Sequence, residues 1–200
     1  MSLDGAIGRG IKALERGADS PYVRRLRSEE GFGLLELLMA MVMLNIGILA
    51  IVAAFNSGAL ALSRASRTST ASTLGDSQME LFRGIDWDNI VQKTSEWTAA
   101  TGDSTWTADN VYQQNMLNPA APKALVSTVT TCPNVNANSC DPSFTTTGPD
   151  GRSYRVDTYL YYDTPTGGNQ VKVITVVVRN TNDLAHSLSR QTSTFDTSTG

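Results

Sequence analysis

The chain reads as an α+β protein in which one long N-terminal helix packs on an antiparallel sheet of about four strands. Three observations predict this. Residues 34–55 form an apolar run interrupted only by Glu36, Asn45 and the small Gly47. Residues 56–84 continue it with apolar side chains at three- and four-residue steps, and the C-terminal third alternates apolar and polar residues between turn-forming clusters.

At a rise of roughly 1.5 Å per residue the apolar run makes a helix about 33 Å long, which matches a hydrocarbon core of about 30 Å. Arg24, Arg25 and Arg27 precede it. Basic residues stay on the cytoplasmic side of a membrane, so residues 1–30 belong inside and the rest of the chain across the bilayer. A cleaved secretory signal shares the basic and apolar segments, and Ala59, Leu60 and Ala61 would even provide a small-residue cleavage site. Its apolar core, however, spans roughly 7–15 residues, and here the run is longer and the leader more extended. Polarity also returns gradually, through Asn56, Ser57, Gly58, Ser63 and Arg64, so a helix is expected to continue straight out of the bilayer.

Glu36 is the anomaly in this segment. A carboxylate deep in a bilayer costs roughly 2.5–3.5 kcal/mol even on the mild insertion scale. It therefore needs a partner, unless it lies at the interface and snorkels to water.

The residues around it, Gly31, Phe32, Gly33, Leu34, Leu35 and Glu36, follow a basic leader and open a long apolar run. In this the chain resembles the type IV prepilins and the pilin-like proteins of type II secretion and competence systems. The resemblance implies cleavage between Gly31 and Phe32 by a prepilin peptidase, N-methylation of Phe32 and loss of residues 1–31. It also implies partners: other pilin subunits met through helix packing, and an inner-membrane assembly platform. Gly33 stands where serine or threonine is usual, which weakens the case for methylation more than for cleavage. Ala53 stands where many major pilins have a kinking proline, so a straighter helix is expected. Residues 41–51, with Asn45-Ile46-Gly47-Ile48-Leu49, and then Gln78-Met79-Glu80 are similar to minor pilins of the PilV type. That favours a minor pilin, with a minor pseudopilin as runner-up and a single-pass membrane protein carrying a binding domain as the alternative from another class.

Cleavage would create a charged amine at Phe32, a second ion in the same apolar layer as Glu36. Within one helix the two are poorly placed for each other. A neighbouring subunit offset along a filament axis can present its Phe32 amine to Glu36, and breaking such a buried pair costs about 3–5 kcal/mol. The pair would set the register of assembly.

Beyond the membrane segment, Leu62, Ala65, Ala71, Leu74, Met79, Leu81, Phe82 and Ile85 recur loosely on one helical face among Arg64, Arg67, Asp76, Glu80 and Arg83. Frequent serine and threonine over residues 63–77 give mediocre intrinsic helicity, so packing has to supply the stability. Gly84 is the expected stop. A single helix over residues 32–83 would be about 78 Å long.

Residues 86–122 carry Trp87, Trp97, Trp106 and Tyr112 without a sustained period and read as a loop-rich connection within the exported head, residues 85–200. The aromatics are expected to pack against the helix rather than to form a glycan-binding surface. Residues 152–163 alternate, with Tyr154, Val156, Leu160 and Tyr162 on one face and Arg155 and Asp157 on the other. Residues 171–179 are apolar on both faces, as in a central strand. Pro165, Gly167 and Gly168 between them mark a hairpin turn. Residues 188–195 read as a polar edge strand and residues 124–131 as the fourth.

Cys132 and Cys140 are the only cysteines. On the exported side a structural disulfide is favoured, and a zinc site is a poor alternative because two thiols without a nearby histidine leave it incomplete. The whole chain has 16 basic and 19 acidic residues, with the acidic excess after residue 31. That argues against nucleic-acid binding, which rests on arginine and lysine, although strands could gather Arg155, Lys172 and Arg179. No catalytic constellation or cofactor site stands out. His186 is the only histidine and is expected in a polar turn. Asp141 and Asp150 lack EF-hand spacing, and a turn role is expected for them instead of calcium binding.

Overall fold

The computed structural model describes residues 33–119 and 123–197. Helix α1, Leu34–Arg83, is unbroken through Ala53 and ends against Gly84 as expected. The chain divides into two units, Met1–Asn56 and Ser57–Gly200. In the first, every described helical residue is exposed.

The second unit is an α+β head in which the later turns of α1 pack on a four-stranded antiparallel sheet. Its strands are β3 (Ser143–Thr147), β4 (Ser153–Asp163), β5 (Val171–Asn180) and β6 (Asp183–Phe195), in that spatial order. Helix α1 buries Thr70, Ala71, Gly75, Gln78, Met79 and Phe82, a stripe at three- and four-residue steps. That stripe meets Tyr154, Val156 and Leu160 of β4, Ile174, Val176 and Val178 of β5, and Phe195 at the end of β6. Truncating Phe82 to alanine in such a core costs about 3–5 kcal/mol.

The β4–β5 hairpin forms where the turn residues predicted it, with Gly167 at φ +77°. Strand β5 is central and β6 is an edge, longer than expected because it begins at Asp183. His186 therefore lies on a strand and not in a turn.

The fourth strand departs from expectation. It is β3, and residues 124–131 stay outside the sheet except for one antiparallel bridge from Leu125 to Tyr161. Two residues of that stretch, β2 (Thr128–Val129), pair in parallel with β1 (Gln92–Lys93). Only Val126 is buried there, too little apolar surface to hold a sheet strand. Ser143–Thr147, by contrast, is folded back onto β4 by a tight turn in which Gly151 N–H donates to the Gly148 carbonyl at 2.9 Å. Gly148 also lets the turn approach α1, since a Cβ there would lie 2.6 Å from the Thr70 methyl.

The aromatics also depart from expectation. Trp97, Trp106 and Tyr112 do not pack against α1 but cover the opposite face of the sheet. Two short helices, α2 (Thr94–Thr101) and α3 (Ser104–Thr107), carry the tryptophans there. Asp103 caps α3 by accepting from the Thr105 N–H at 2.7 Å. Trp106 is fully buried, stacked 4.6 Å from Tyr159 and met edge-on by Trp97 at 5.2 Å. The Tyr159 hydroxyl donates to the Trp106 carbonyl at 3.0 Å. The cause lies in β4 and β5, whose outward residues Tyr159 and Val177 are as apolar as their inward ones and need cover of their own. Trp87 alone remains on the α1 side.

Candidate functional site

The most distinctive surface is the start of α1. Gly31 and Phe32 lie outside the described residues. From Gly33 onward the helix starts with the Gly33 carbonyl accepting from Glu36 N–H at 2.9 Å and Leu37 N–H at 3.1 Å. Glu36 falls in the first turn, where a carboxylate complements the unsatisfied N–H groups of the helix. It is the only ionisable side chain until Arg64. Leucine, isoleucine, valine and methionine side chains are exposed on every side of this segment, with Leu34 at 83 % and Phe55 at 76 %. The best 18-residue window has a mean hydropathy of 2.6 with none of it buried. A helix apolar all round has no solvated face, and this one is long and apolar enough to cross a membrane.

The head carries a different constellation. On the sheet face that holds Trp106, six charged side chains form a chain of ion pairs. Asp103 accepts from Arg155 at 2.7 Å, Arg155 also donates to Asp157, Asp157 and Asp109 both accept from Arg179, and Asp109 is gripped in addition by Arg190 at 2.7 and 2.9 Å. Asp157 is wholly buried and takes a further bond from the Ser143 hydroxyl at 2.7 Å. Burial works to raise the pKa of Asp109, but the bonds from Arg190 and the Val111 N–H, with the fields of Arg190 and Arg179, outweigh it and hold the carboxyl below its ordinary value. Asp103 is likewise held down, burial being overcome by Arg155 and the Thr105 N–H. Three arginines against three aspartates leave no net charge. A shallow cleft beside Asp109 and Arg190, between α3 and the β5–β6 hairpin, is floored by this neutral network.

The alternation in β4 therefore has another meaning than a solvated face: Arg155 and Asp157 are covered. Arg155 and Arg179 do sit opposite each other in the β4–β5 register, yet both are neutralised. Lys172 points to the other face. It is 1 % exposed, its ammonium donates to the carbonyls of Ile90 (2.9 Å) and Trp87, and it lies 4.0 Å from the centre of the Trp87 ring. Burial pushes its pKa down. The three cations form no patch.

Cys132 and Cys140 are joined in a disulfide, their Cα atoms 5.9 Å apart. The closed loop is tied to α1 by Gln78, whose amide donates to the Asn138 carbonyl at 3.0 Å, and to the turn after α1 by Asn134, which donates to the Asn89 carbonyl. Asp150 serves its turn, accepting from the Arg152 N–H and the Tyr154 hydroxyl. His186 is an exposed strand residue whose Nδ1 is 3.0 Å from Asp183. Among the described residues no cluster of three potential metal ligands occurs. Compared with protein-family models, curated proteins and solved structures, the chain gives no match.

Proposed function

We propose that the chain is a pilin-like structural subunit, a minor pilin of a type IV pilus. It is made as a precursor with its leader inside, cut between Gly31 and Phe32 by a prepilin peptidase, and held in the inner membrane by α1 until assembly. The observation that carries this reading is a helix that does two different jobs along its length. Up to Asn56 it offers apolar side chains in all directions with one carboxylate in its first turn, and from Thr70 to Phe82 it is built into the head. A buried core helix has no use for the first part, and a plain membrane anchor has no use for Glu36 at that offset from the Gly-Phe junction. In the assembled filament Glu36 accepts the Phe32 amine of the neighbouring subunit, so that two charges leave the lipid together.

The experiment is mass spectrometry of the chain extracted from membranes of cells with an active prepilin peptidase. The expected species begins at Phe32. An intact chain retaining residues 1–31 would sink the proposal and assign the protein to single-pass membrane proteins that present a binding domain.

A further inference from the structure

The head has unused features at its two ends, and they complement each other. Where α1 enters the head, residues 57–69 are exposed except for the half-buried Ser63 and Arg67. Leu60 is 61 % exposed, and Arg64 follows it one turn later on the same face, the face that further along buries Ala71 and Gly75 against the sheet. Arg64 makes no ion pair and its side chain no hydrogen bond among the described residues. At the other end, beyond the last turn of α1, Ile85, Trp87, Ile90 and Phe195 line an open hollow of about 270 Å³. It is held open, because Trp87 Nε1 donates to the Phe195 carbonyl at 3.3 Å and the buried Lys172 ammonium lies 4.0 Å from the centre of its ring. Trp87 is also a wall of a second, acidic hollow lined by Asp86 and Asp88. Both aspartates are exposed and their carboxylates accept no hydrogen bond among the described residues; Asp86 precedes a short helical turn without capping it.

We propose that the chain docks end to end on a second copy of itself, with Leu60 of one copy filling the hollow beside Trp87 of the next and Arg64 meeting Asp86 and Asp88; this deepens the pilin reading and rests on it. Three features favour a second copy. First, the hollow is smaller than the roughly 300–1,000 Å³ of small-molecule sites, and its size suits one aliphatic side chain. Second, the charges are opposite: the free cation lies on the strip that carries the leucine, and the free carboxylates lie beside the hollow. Third, the spacing agrees. Side chains four residues apart on a helix stand about 6 Å apart, and the apolar and acidic hollows are neighbours across one indole ring. The two surfaces differ, so the contact is head-to-tail and continues from copy to copy instead of closing on itself. Leu60 and Arg83, which borders the hollow, are about 35 Å apart along α1. Two copies held at the same height in a membrane therefore cannot make this contact. It forms only when one has been raised over the other, and it places copies of this chain in runs.

The test places an aliphatic diazirine residue at position 60 of the full chain in filament-producing cells, illuminates them, and maps cross-links in the sheared filament fraction by mass spectrometry. The expected product is a dimer of this chain with position 60 joined to residues 85–90 or 193–195. Arg64→Glu should lower its yield about fivefold, and adding Asp86→Lys to the same chain should restore it; both positions are exposed and carry no contact of the fold. A chain present in filaments that gives no such link, or whose position 60 is joined to another subunit, would overturn the inference while leaving the pilin reading intact. So would a yield that Asp86→Lys fails to restore. Absence of the chain from the filament fraction would overturn the pilin reading and this contact with it, so the two failures are distinguishable.

Discussion

Asp109→Ala tests whether the buried ion pairs hold the aromatic layer to the sheet. Both oxygens of Asp109 are in use: one accepts from the Val111 N–H and Arg190, the other from Arg179 and Arg190. On removal of the carboxylate Arg190, whose side chain is 36 % exposed, can turn to water. Arg179, at 6 %, cannot, although it keeps Asp157. Breaking a buried pair costs about 3–5 kcal/mol, and the retained partner puts this case at the low end, about 3 kcal/mol. Losing the bond to Val111 adds about 1 kcal/mol. A chain of 200 residues loses roughly 3 °C of Tm per kcal/mol, so a fall of about 12 °C is expected. Near-ultraviolet circular dichroism of the full chain in detergent follows it directly, because Trp106 and Tyr159 lie in the affected layer. The control is Arg83→Ala, which removes an exposed pair with Glu80 and should change stability by no more than about 0.5 kcal/mol. A Tm change for Asp109→Ala no larger than that of the control would refute the reasoning.

The same carboxylates predict an acid-labile head: Asp103 and Asp109 titrate below their ordinary value of 3.8 when folded, so the unfolded chain takes up protons first. Their contribution is fully present above that value and is lost as pH falls through the lowered folded values, which urea midpoints at about pH 6 and about pH 3 would reveal. Reducing the Cys132–Cys140 disulfide releases a loop with a sequence separation of 8 and should cost about 2.5 kcal/mol by chain entropy, measurable as a drop in urea midpoint. Glu36→Ala should leave cleavage after Gly31 largely intact while reducing incorporation into filaments, as read by immunoblot of sheared filament fractions; normal incorporation would count against pairing with the Phe32 amine.

Much of the fold was legible because its signals are local. The apolar run, the stop at Gly84 and the hairpin around Gly167 each depend on neighbours in sequence, and each lies where periodicity and turn chemistry place it. The alternation in β4 was legible as a strand but misleading as to burial. Arg155 and Asp157 look like a solvated face until their partners are known, and those partners, Asp103 for Arg155 and Arg179 for Asp157, lie 52 and 22 residues away. The aromatic cover was hidden for the same reason, since nothing near Trp97 or Trp106 states which face of the sheet they will reach. The swap of residues 124–131 for Ser143–Thr147 as fourth strand was decided by a turn at Gly148 and by the scarcity of buried side chains around Val126. At the N-terminus only the apolar run with Glu36 in the first turn of α1 can be compared with the sequence reading, because Gly31 and Phe32 lie outside the described residues.

The seating of α1 on the head has a mechanical consequence. Gly75 leaves room for Gln191, whose amide reaches the Ser72 carbonyl at 3.2 Å, and Gly148 leaves room for Thr70. Each is a tooth in a notch, and each opposes sliding of the helix along its own axis. A pull applied to the helix would load β6 and the β3–β4 turn in shear, across many interlocked side chains at once, instead of peeling the sheet open strand by strand. Within the head, helix and sheet would then travel as one piece under tension.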